Sequence, residues 1–455
     1  MVKKVAIITN GGDCPGLNAV IRAIVKTAET HGVECYGYIE GYKGLIENNY
    51  MRLDSNGSAS GLLHRGGTII GASNSTNLFN YPVEENGEIV YKDMSYKAVE
   101  NAKQAGFDCI FTLGGDGTQK SARDFSLRGL NIIGVPKTID NDVAHSEITF
   151  GYNTAVSVAT EALDRLHSTA ESHHRIMTLE VMGRYAGWIA LESAIAGGAD
   201  AAIIPEIPYD INKIVEKINK RKAEGKKFSI IVVSEGAKPK DGEMVIKKTL
   251  NDGKGLDNIR LGGIGEKLAR DLEELTGMVS RNTTLGYVQR GGTPTPFDRV
   301  LSTKYGTKAM ELALEGKFNV LVTLKNGRLD SVPLEDVVGN NKEIGARSRR
   351  NRKHKHKKGN NGRWFSKSSK KFRHLSWRLK TNCKRCRSAT PTIPKIINAY
   401  KSIITKETGY SIWQRNYYEH IIRNEKEYYK IVEYIKTNPL KWEEDKYYLE
   451  RWFYD

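Results

Sequence analysis

Val5-Ala6-Ile7-Ile8-Thr9-Asn10, then Gly11-Gly12-Asp13-Cys14-Pro15-Gly16, then Leu17-Asn18-Ala19-Val20 stand near the start of the chain. Residues 5–10 read as a buried strand, 11–16 as a glycine loop, and 17–30 as a helix with Ala19, Val20, Ala23, Ile24 and Ala28 at helical spacing. Glycines let backbone N–H groups approach a polyphosphate, and the following helix N-terminus adds a favourable dipole. The syntax returns at 109–113, followed by Gly114-Gly115-Asp116-Gly117-Thr118 and a helix from about Gln119. Two such loops imply two phosphate-contacting edges on one sheet, although Gly-Gly-Asp alone also makes ordinary turns. Asp116 among those donors would repel a phosphate unless a divalent cation lay between, so magnesium is the implied partner.

A further apolar run, 131–135, leads into Val135-Pro136-Lys137-Thr138-Ile139-Asp140-Asn141-Asp142. Carboxylates at the C-terminal end of a strand sit where open α/β sheets keep their sites. In extended chain Asp140 and Asp142 point the same way, so one could take a proton from an alcohol while the other holds a metal. A polar turn stabilised by Asx hydrogen bonds is the other reading.

Strand and helix patterns alternate onward: a helix over 154–172, a strand over 176–181, a helix over 188–196, and further segments at 201–204, 211–222, 228–234, 261–275, 283–288 and 297–314. A possible hairpin strand covers 88–91. Such regular alternation predicts parallel sheets covered by helices on both faces. Met182-Gly183-Arg184 is read as opening a helix, and Arg281 and Arg290 flank Leu285-Gly286-Tyr287-Val288-Gln289. Arginine forks near glycine loops match a phosphorylated second substrate, whereas a surface arginine is more often merely solvated. His167, His173 and His174 have no ligand spacing and are read as structural.

The chain has 455 residues, 39% hydrophobic and 27% charged, with a formal net charge of +17. The excess is local: residues 341–455 hold 30 Lys+Arg against 11 Asp+Glu, while residues 1–340 hold 40 against 42. From 347 to 406 there are 21 basic residues and no acidic one, a composition that cannot bury enough surface to fold alone. Helical pattern returns at 393–405 and 416–436. No signal-like or membrane-spanning apolar run is present, so a cytoplasmic protein without membrane association is expected. Five scattered cysteines make no disulfide framework, and Cys14, Cys35 and Cys109 are read as reduced packing residues.

Together, Gly11-Gly12-Asp13-Cys14-Pro15-Gly16-Leu17-Asn18, Gly114-Gly115-Asp116-Gly117-Thr118, Pro136-Lys137-Thr138-Ile139-Asp140-Asn141-Asp142, Met182-Gly183-Arg184 and Gly286-Tyr287-Val288-Gln289-Arg290-Gly291-Gly292 resemble the motifs of 6-phosphofructokinases in order and spacing. The resemblance covers residues 1–345 and implies an α/β fold of two Rossmann-like parallel-sheet subdomains. It implies phosphoryl transfer from ATP to the 1-hydroxyl of fructose 6-phosphate. By that similarity Asp140 is the base, Thr138 and Arg184 steady the transferring group, and Gly12, Tyr42, Gly115, Asp116, Gly117 and Thr118 form the nucleotide site. Asp116 and Asp142 would hold magnesium. Met182, Gly183 and Glu235 would contact the sugar. Tyr287 and Arg290, with Arg175 and Arg281 of a neighbouring subunit, would hold the 6-phosphate, in a homotetramer.

Some positions depart from the common bacterial pattern. Asn74 stands where an arginine is usual, Tyr287 where a histidine is usual, and Asp200 where the effector site has glutamate, although Arg22 and Lys26 are present. Gly117 accompanies ATP in the family, whereas Lys137 often accompanies pyrophosphate. Steric and charge exclusion acts directly at Gly117, which therefore has the greater weight, with a pyrophosphate-dependent enzyme as the alternative.

The tail is expected as a basic low-complexity linker, 346–390, and a helical module, 391–455. Residues 412–423 and 434–442 resemble the C-terminal portion of REP-associated tyrosine transposases, with Tyr400 near the nucleophile's place. The metal-binding histidine pair of that family is missing, since His354-Lys355-His356 carries lysine between its histidines, and Cys383-Lys384-Arg385-Cys386 has no second pair for zinc. Non-specific nucleic-acid binding by the tail is expected, and a nucleic-acid-binding protein with an idle kinase core is the second alternative.

Overall fold

The computed structural model describes residues 2–73, 78–249 and 259–345. The linker and helical module expected after 345 lie outside the described residues, as does Asn74.

β1 (Lys4–Thr9), buried from Val5 on, passes through Gly16 into α1 (Leu17–Thr30), whose Leu17, Val20, Ile21 and Ile24 are shut from solvent. β2 (Glu34–Tyr38), α2 (Tyr42–Glu47) and β3 (Tyr50–Leu53) follow, then a hairpin of β4 (Tyr81–Glu85) and β5 (Glu88–Lys92), and α3 (Ser95–Gln104). The second glycine unit is β6 (Cys109–Gly114) and α4 (Asp116–Leu127), and β7 (Ile132–Pro136) delivers the aspartate loop. The long α5 (Tyr152–His173) carries the chain into the second half. There β8 (Ile176–Val181), α6 (Trp188–Ala196), β9 (Ala201–Ile203), α7 (Ile211–Ala223) and β10 (Ser229–Ser234) alternate. β11 (Ile246–Thr249) and β12 (Ile259–Leu261) form a small hairpin, followed by α8 (Ile264–Thr276), β13 (Ser280–Thr284), a 3₁₀ turn at Gly286–Gln289 and α9 (Pro296–Leu314). β14 (Val320–Lys325), β15 (Arg328–Pro333) and the short α10 (Leu334–Val337) return to the first half.

Two sheets result. The larger has the order β15-β14-β7-β6-β1-β2-β3, and the smaller, wholly parallel, has β13-β8-β10-β9. The sheets are parallel as expected except at both edges of the larger one, where β3 and β15 run antiparallel to β2 and β14. The reason is local at β15. Asn326-Gly327, with φ of 52° and 72°, makes a two-residue hairpin turn that returns the chain beside the strand it left. Three element boundaries also differ: α4 starts at Asp116 rather than near Gln119, the helix read from 261 starts at Ile264, and residues 283–288 divide between the end of β13 and the 3₁₀ turn.

In the larger sheet the chain leaves β1 toward β2 on one side and enters β6 and β7 on the other. The loops after β1 and β6 therefore part around a crevice at the point where strand order reverses. α9 packs on α1 so closely that a β-carbon at Gly306 would lie 2.6 Å from the Val20 carbonyl oxygen. Asp298 on α9 is fully buried and accepts hydrogen bonds from the Thr154 amide at 2.7 Å and hydroxyl at 2.6 Å, pinning the first turn of α5. These contacts fix the two halves beneath the crevice.

Candidate active site

The first wall of the crevice is the loop after β1. Gly11 has φ of 75°, where a side chain would be strained, and its amide donates to the Ser73 carbonyl at 3.0 Å. A β-carbon on Gly12 would lie 1.4 Å from Nη1 of Arg290, so this guanidinium rests directly on the loop.

The second wall is the start of α4. Gly115 is its N-cap with no side-chain hydrogen bond to the first turn, so the first-turn amides are left for a ligand or solvent. Asp116, Gly117 and Thr118 are consequently residues of a helical turn, not of a loop. Burial raises the Asp116 carboxyl above its ordinary value. Tyr42 stands behind this turn: its ring is buried against Phe125, centroids 5.7 Å apart, and its hydroxyl donates to the Thr118 carbonyl at 3.2 Å. It bears on the nucleotide side through the backbone of that turn.

The floor is the loop after β7. Lys137 is 4% exposed, its amide donates to the Gly114 carbonyl at 3.0 Å, and its Nζ donates to the Gly12 carbonyl. One lysine thus ties the ends of three strands, and burial pulls its ammonium below the usual lysine range. Thr138 accepts a hydrogen bond from the Asp140 amide at 3.0 Å. Asn141 is left-handed, φ 53°, with its side-chain oxygen accepting from the Thr149 amide at 3.1 Å. The extended geometry expected for Asp140 and Asp142 is therefore corrected: a held bend at Asn141 sets their placement, not strand alternation.

Asp140 Oδ1 and Asp142 Oδ1 are both closed from solvent with no hydrogen-bond partner. Burial, and then the like charge of Asp142, push the Asp140 carboxyl up to about 7, while Arg290 opposes the shift. Burial likewise raises Asp142, with Asp116 adding repulsion. An orphaned carboxylate oxygen beside a second carboxylate fits a hard divalent cation. Among the described residues no group of three or more His, Cys, Asp or Glu forms a complete protein cage. Magnesium suits such a site, since it takes one or two carboxylates and completes its shell with phosphate oxygens and water.

The smaller sheet supplies the opposite side. Met182, Gly183 and Arg184 follow β8 in a loop, four residues or more before α6 begins, so the helix expected at Met182 is corrected. Gly183 has φ of 132°, and its carbonyl accepts from the Ser234 hydroxyl at 2.6 Å. Glu235 follows β10, its amide donating to the Val181 carbonyl at 2.8 Å; burial raises its carboxyl, opposed by Arg290 and Arg184. Arg290 reaches between the halves, its Nε donating to Met182 Sδ at 3.4 Å. Tyr287 is 71% exposed on the 3₁₀ turn.

Arg175 and Arg281 are not brought here. Arg175 precedes β8 and Arg281 pairs with Met177 near the same strand's beginning, at the opposite end of the smaller sheet from Met182. Arg281 instead pairs with Glu273 at 3.2 Å. Asp200 forms a 2.7 Å ion pair with Arg221 and accepts from the Ile230 amide.

Sequence reasoning missed Lys342. Its Nζ donates to Asn141 Oδ1 at 2.6 Å and to the carbonyls of Ser146 and Glu147 at 2.9 and 2.8 Å, and burial pulls its ammonium down to about 8. Nothing in its sequence setting, Asn340-Asn341-Lys342, marks it.

Known proteins match this arrangement. The phosphofructokinase family matches residues 4–313. The ATP-dependent 6-phosphofructokinase 2 of Clostridium perfringens is 59% identical over 346 residues, covering 75% of this chain and 94% of that protein. The ATP-dependent 6-phosphofructokinase 3 of Streptomyces coelicolor is 46% identical over 342 residues, covering 75% and 96%. The T-state phosphofructokinase of Pichia pastoris superposes with a TM-score of 0.62 at 30% identity, covering 74% of this chain and 35% of that one. The pyrophosphate-dependent phosphofructokinase of Marinobacter aquaeolei, at 22% identity and a TM-score of 0.63 over 75% and 86%, shares the fold. With two glycine walls, a carboxylate floor and a match over more than half its length, the chain belongs to the phosphofructokinase family.

Proposed function

We infer that this chain is an ATP-dependent 6-phosphofructokinase, transferring the γ-phosphoryl group of ATP to the 1-hydroxyl of fructose 6-phosphate to give fructose 1,6-bisphosphate in glycolysis. The observation that carries the reading is the buried Asp140 carboxylate, its Oδ1 without a partner, between two glycine walls at the switch point of the sheet. A buried carboxyl raised to about 7 is matched to taking a proton at neutral pH. Phosphoryl transfer otherwise needs alignment and charge neutralisation. Gly12, Gly115, Gly117 and Thr118 offer backbone donors to the nucleotide, Tyr42 supports them from behind, and Thr138 and Arg184 face the transferring group. Asp116 and Asp142 would hold magnesium, which when bound neutralises charge on the donor phosphates. Met182, Gly183 and Glu235 take the sugar, and Arg290 and Tyr287 its 6-phosphate.

ATP as donor is supported by Gly117, by the ATP-dependent relatives, and by Lys137, whose ammonium is already engaged by the Gly12 carbonyl. A coupled aldolase assay offering ATP and pyrophosphate in parallel tests it; use of pyrophosphate alone would reverse the assignment.

Arg175 and Arg281 lie too far along the smaller sheet to serve their own subunit's site, which favours a homo-oligomer, a tetramer by family resemblance, in which a neighbour supplies them. Asp200 is occupied by Arg221, which argues against an effector role. No helix among the described residues is long and apolar enough to cross a membrane. Residues 1–345 form the kinase domain. The transposase-like tail, 346–390 and 391–455, rests on residue resemblance and charge, and lies outside the described residues. Single-stranded DNA binding by the tail would be sequence-tolerant, with about −0.7 in log–log salt slope per neutralised phosphate; salt-insensitive binding, or none, would remove this role.

A further inference from the structure

The last described residues cross back over the active site. Asn341 bridges Val143 in antiparallel fashion, and the Lys342 amide donates to the Asp142 carbonyl at 2.8 Å. The Lys342 ammonium donates to Asn141, Ser146 and Glu147, so its three protons all go to the loop that carries Asp140. On its other side the segment grips the smaller half. The Trp188 indole at the start of α6 donates to the Lys342 carbonyl at 2.9 Å, with its ring 5.6 Å from the ammonium. Glu206 accepts from the Ile344 amide at 3.0 Å and from the Gly187 amide at the cap of α6 at 3.1 Å.

We propose that residues 341–344 are a clasp that holds the left-handed bend at Asn141, and that Lys342 is a positioning residue for the proton-accepting Asp140. The proposal rests on reading Asp140 as the base. The bend, with the Thr138 hydroxyl that accepts from the Asp140 amide, places Asp140 and Asp142, and the Asn141 side-chain oxygen accepts from the Thr149 amide and hydroxyl and from the Lys342 ammonium. A methionine at 342 would keep the chain's bulk and its backbone amide's bond to Asp142 while removing the ammonium's three donations, leaving Asn141 Oδ1 to Thr149 alone and taking one donor from each of the Ser146 and Glu147 carbonyls. A loop released by about an ångström costs rate rather than sugar binding, because fructose 6-phosphate is assigned to Met182, Gly183, Glu235 and Arg290 on other elements.

The test uses full-length Lys342→Met and Lys342→Arg. The Met variant should lose roughly 10- to 100-fold in kcat while KM for fructose 6-phosphate changes by less than about three-fold. Hydrogen exchange should quicken in peptides spanning 139–149 and stay unchanged in β8 and β10. The Arg variant, which keeps a charged donor, should recover most of the loss. Unchanged kcat with unchanged exchange at 139–149 would overturn the clasp. So would a general rise in exchange with normal kcat per folded molecule, which is the mark of a residue that only stabilises. If the wild-type protein did not phosphorylate fructose 6-phosphate, yet exchange at 139–149 rose in Lys342→Met alone, the clasp would stand and the functional reading would fall.

Discussion

Arg290 lies across Gly12, with its guanidinium where a β-carbon of that glycine would be. The contact joins the nucleotide wall to the element expected to hold the sugar's 6-phosphate. Gly12 is absent from the residues with positive φ, so Gly12→Ala meets no backbone strain, only the far end of a flexible side chain. The variant should fold normally and displace Arg290. KM for fructose 6-phosphate should rise about ten-fold, the scale of one charge-assisted hydrogen bond, in steady-state kinetics.

Asp140→Ser should reduce kcat by at least ~10²-fold, as expected for loss of a general base, with a modest change in fructose 6-phosphate KM. Turnover near that of the wild type would remove Asp140 from the base role.

The same residue should act on stability in the opposite direction. The carboxyl is raised from 3.8 to about 7 in the folded protein. Between those values the folded state keeps a proton that the unfolded chain releases, so stability declines as pH rises and the cost is complete above about 7. Asp140→Asn carries no charge and should be more stable than wild type at pH 8 by on the order of 1 to 4 kcal/mol in denaturant unfolding, with a smaller gap at pH 5. Equal gaps at both pH values would show that the carboxylate is accommodated without strain on its ionisation.

Gly117→Asp places a second carboxylate on the first turn of α4, where acidic residues are compatible with the helix dipole. Folding should survive, but kcat/KM for ATP should fall by roughly 10²-fold, the scale of an unpaired buried charge. The apparent affinity for fructose 6-phosphate should change little.

Much of this was legible because buried parallel strands are written as unbroken apolar runs. Residues 5–10, 109–113 and 131–135 therefore located β1, β6 and β7, and the glycines after the first two located the walls of the crevice. β3 escaped notice because Tyr50–Leu53 is short with only Leu53 fully buried, so it shows no clear period. β14 and β15 were announced by Asn326-Gly327, a hairpin signal the alternation reading did not extend to. The orientation of Asp140 and Asp142 depended on left-handed Asn141, whose side-chain oxygen accepts from Thr149 and Lys342. One of those partners is 201 residues away. Local pattern cannot encode such a contact.

The position of the clasp constrains how a gene of this kind can be joined to another. A crossover upstream of codon 341 would exchange away Lys342 and Ile344, and with them the grip on the loop bearing Asp140. A crossover after codon 345 leaves them in frame, and the abrupt change to basic composition falls just beyond that point. If the clasp holds as proposed, breakpoints that keep full activity lie after these codons, and comparing natural or engineered fusions across that boundary would map the minimal catalytic chain.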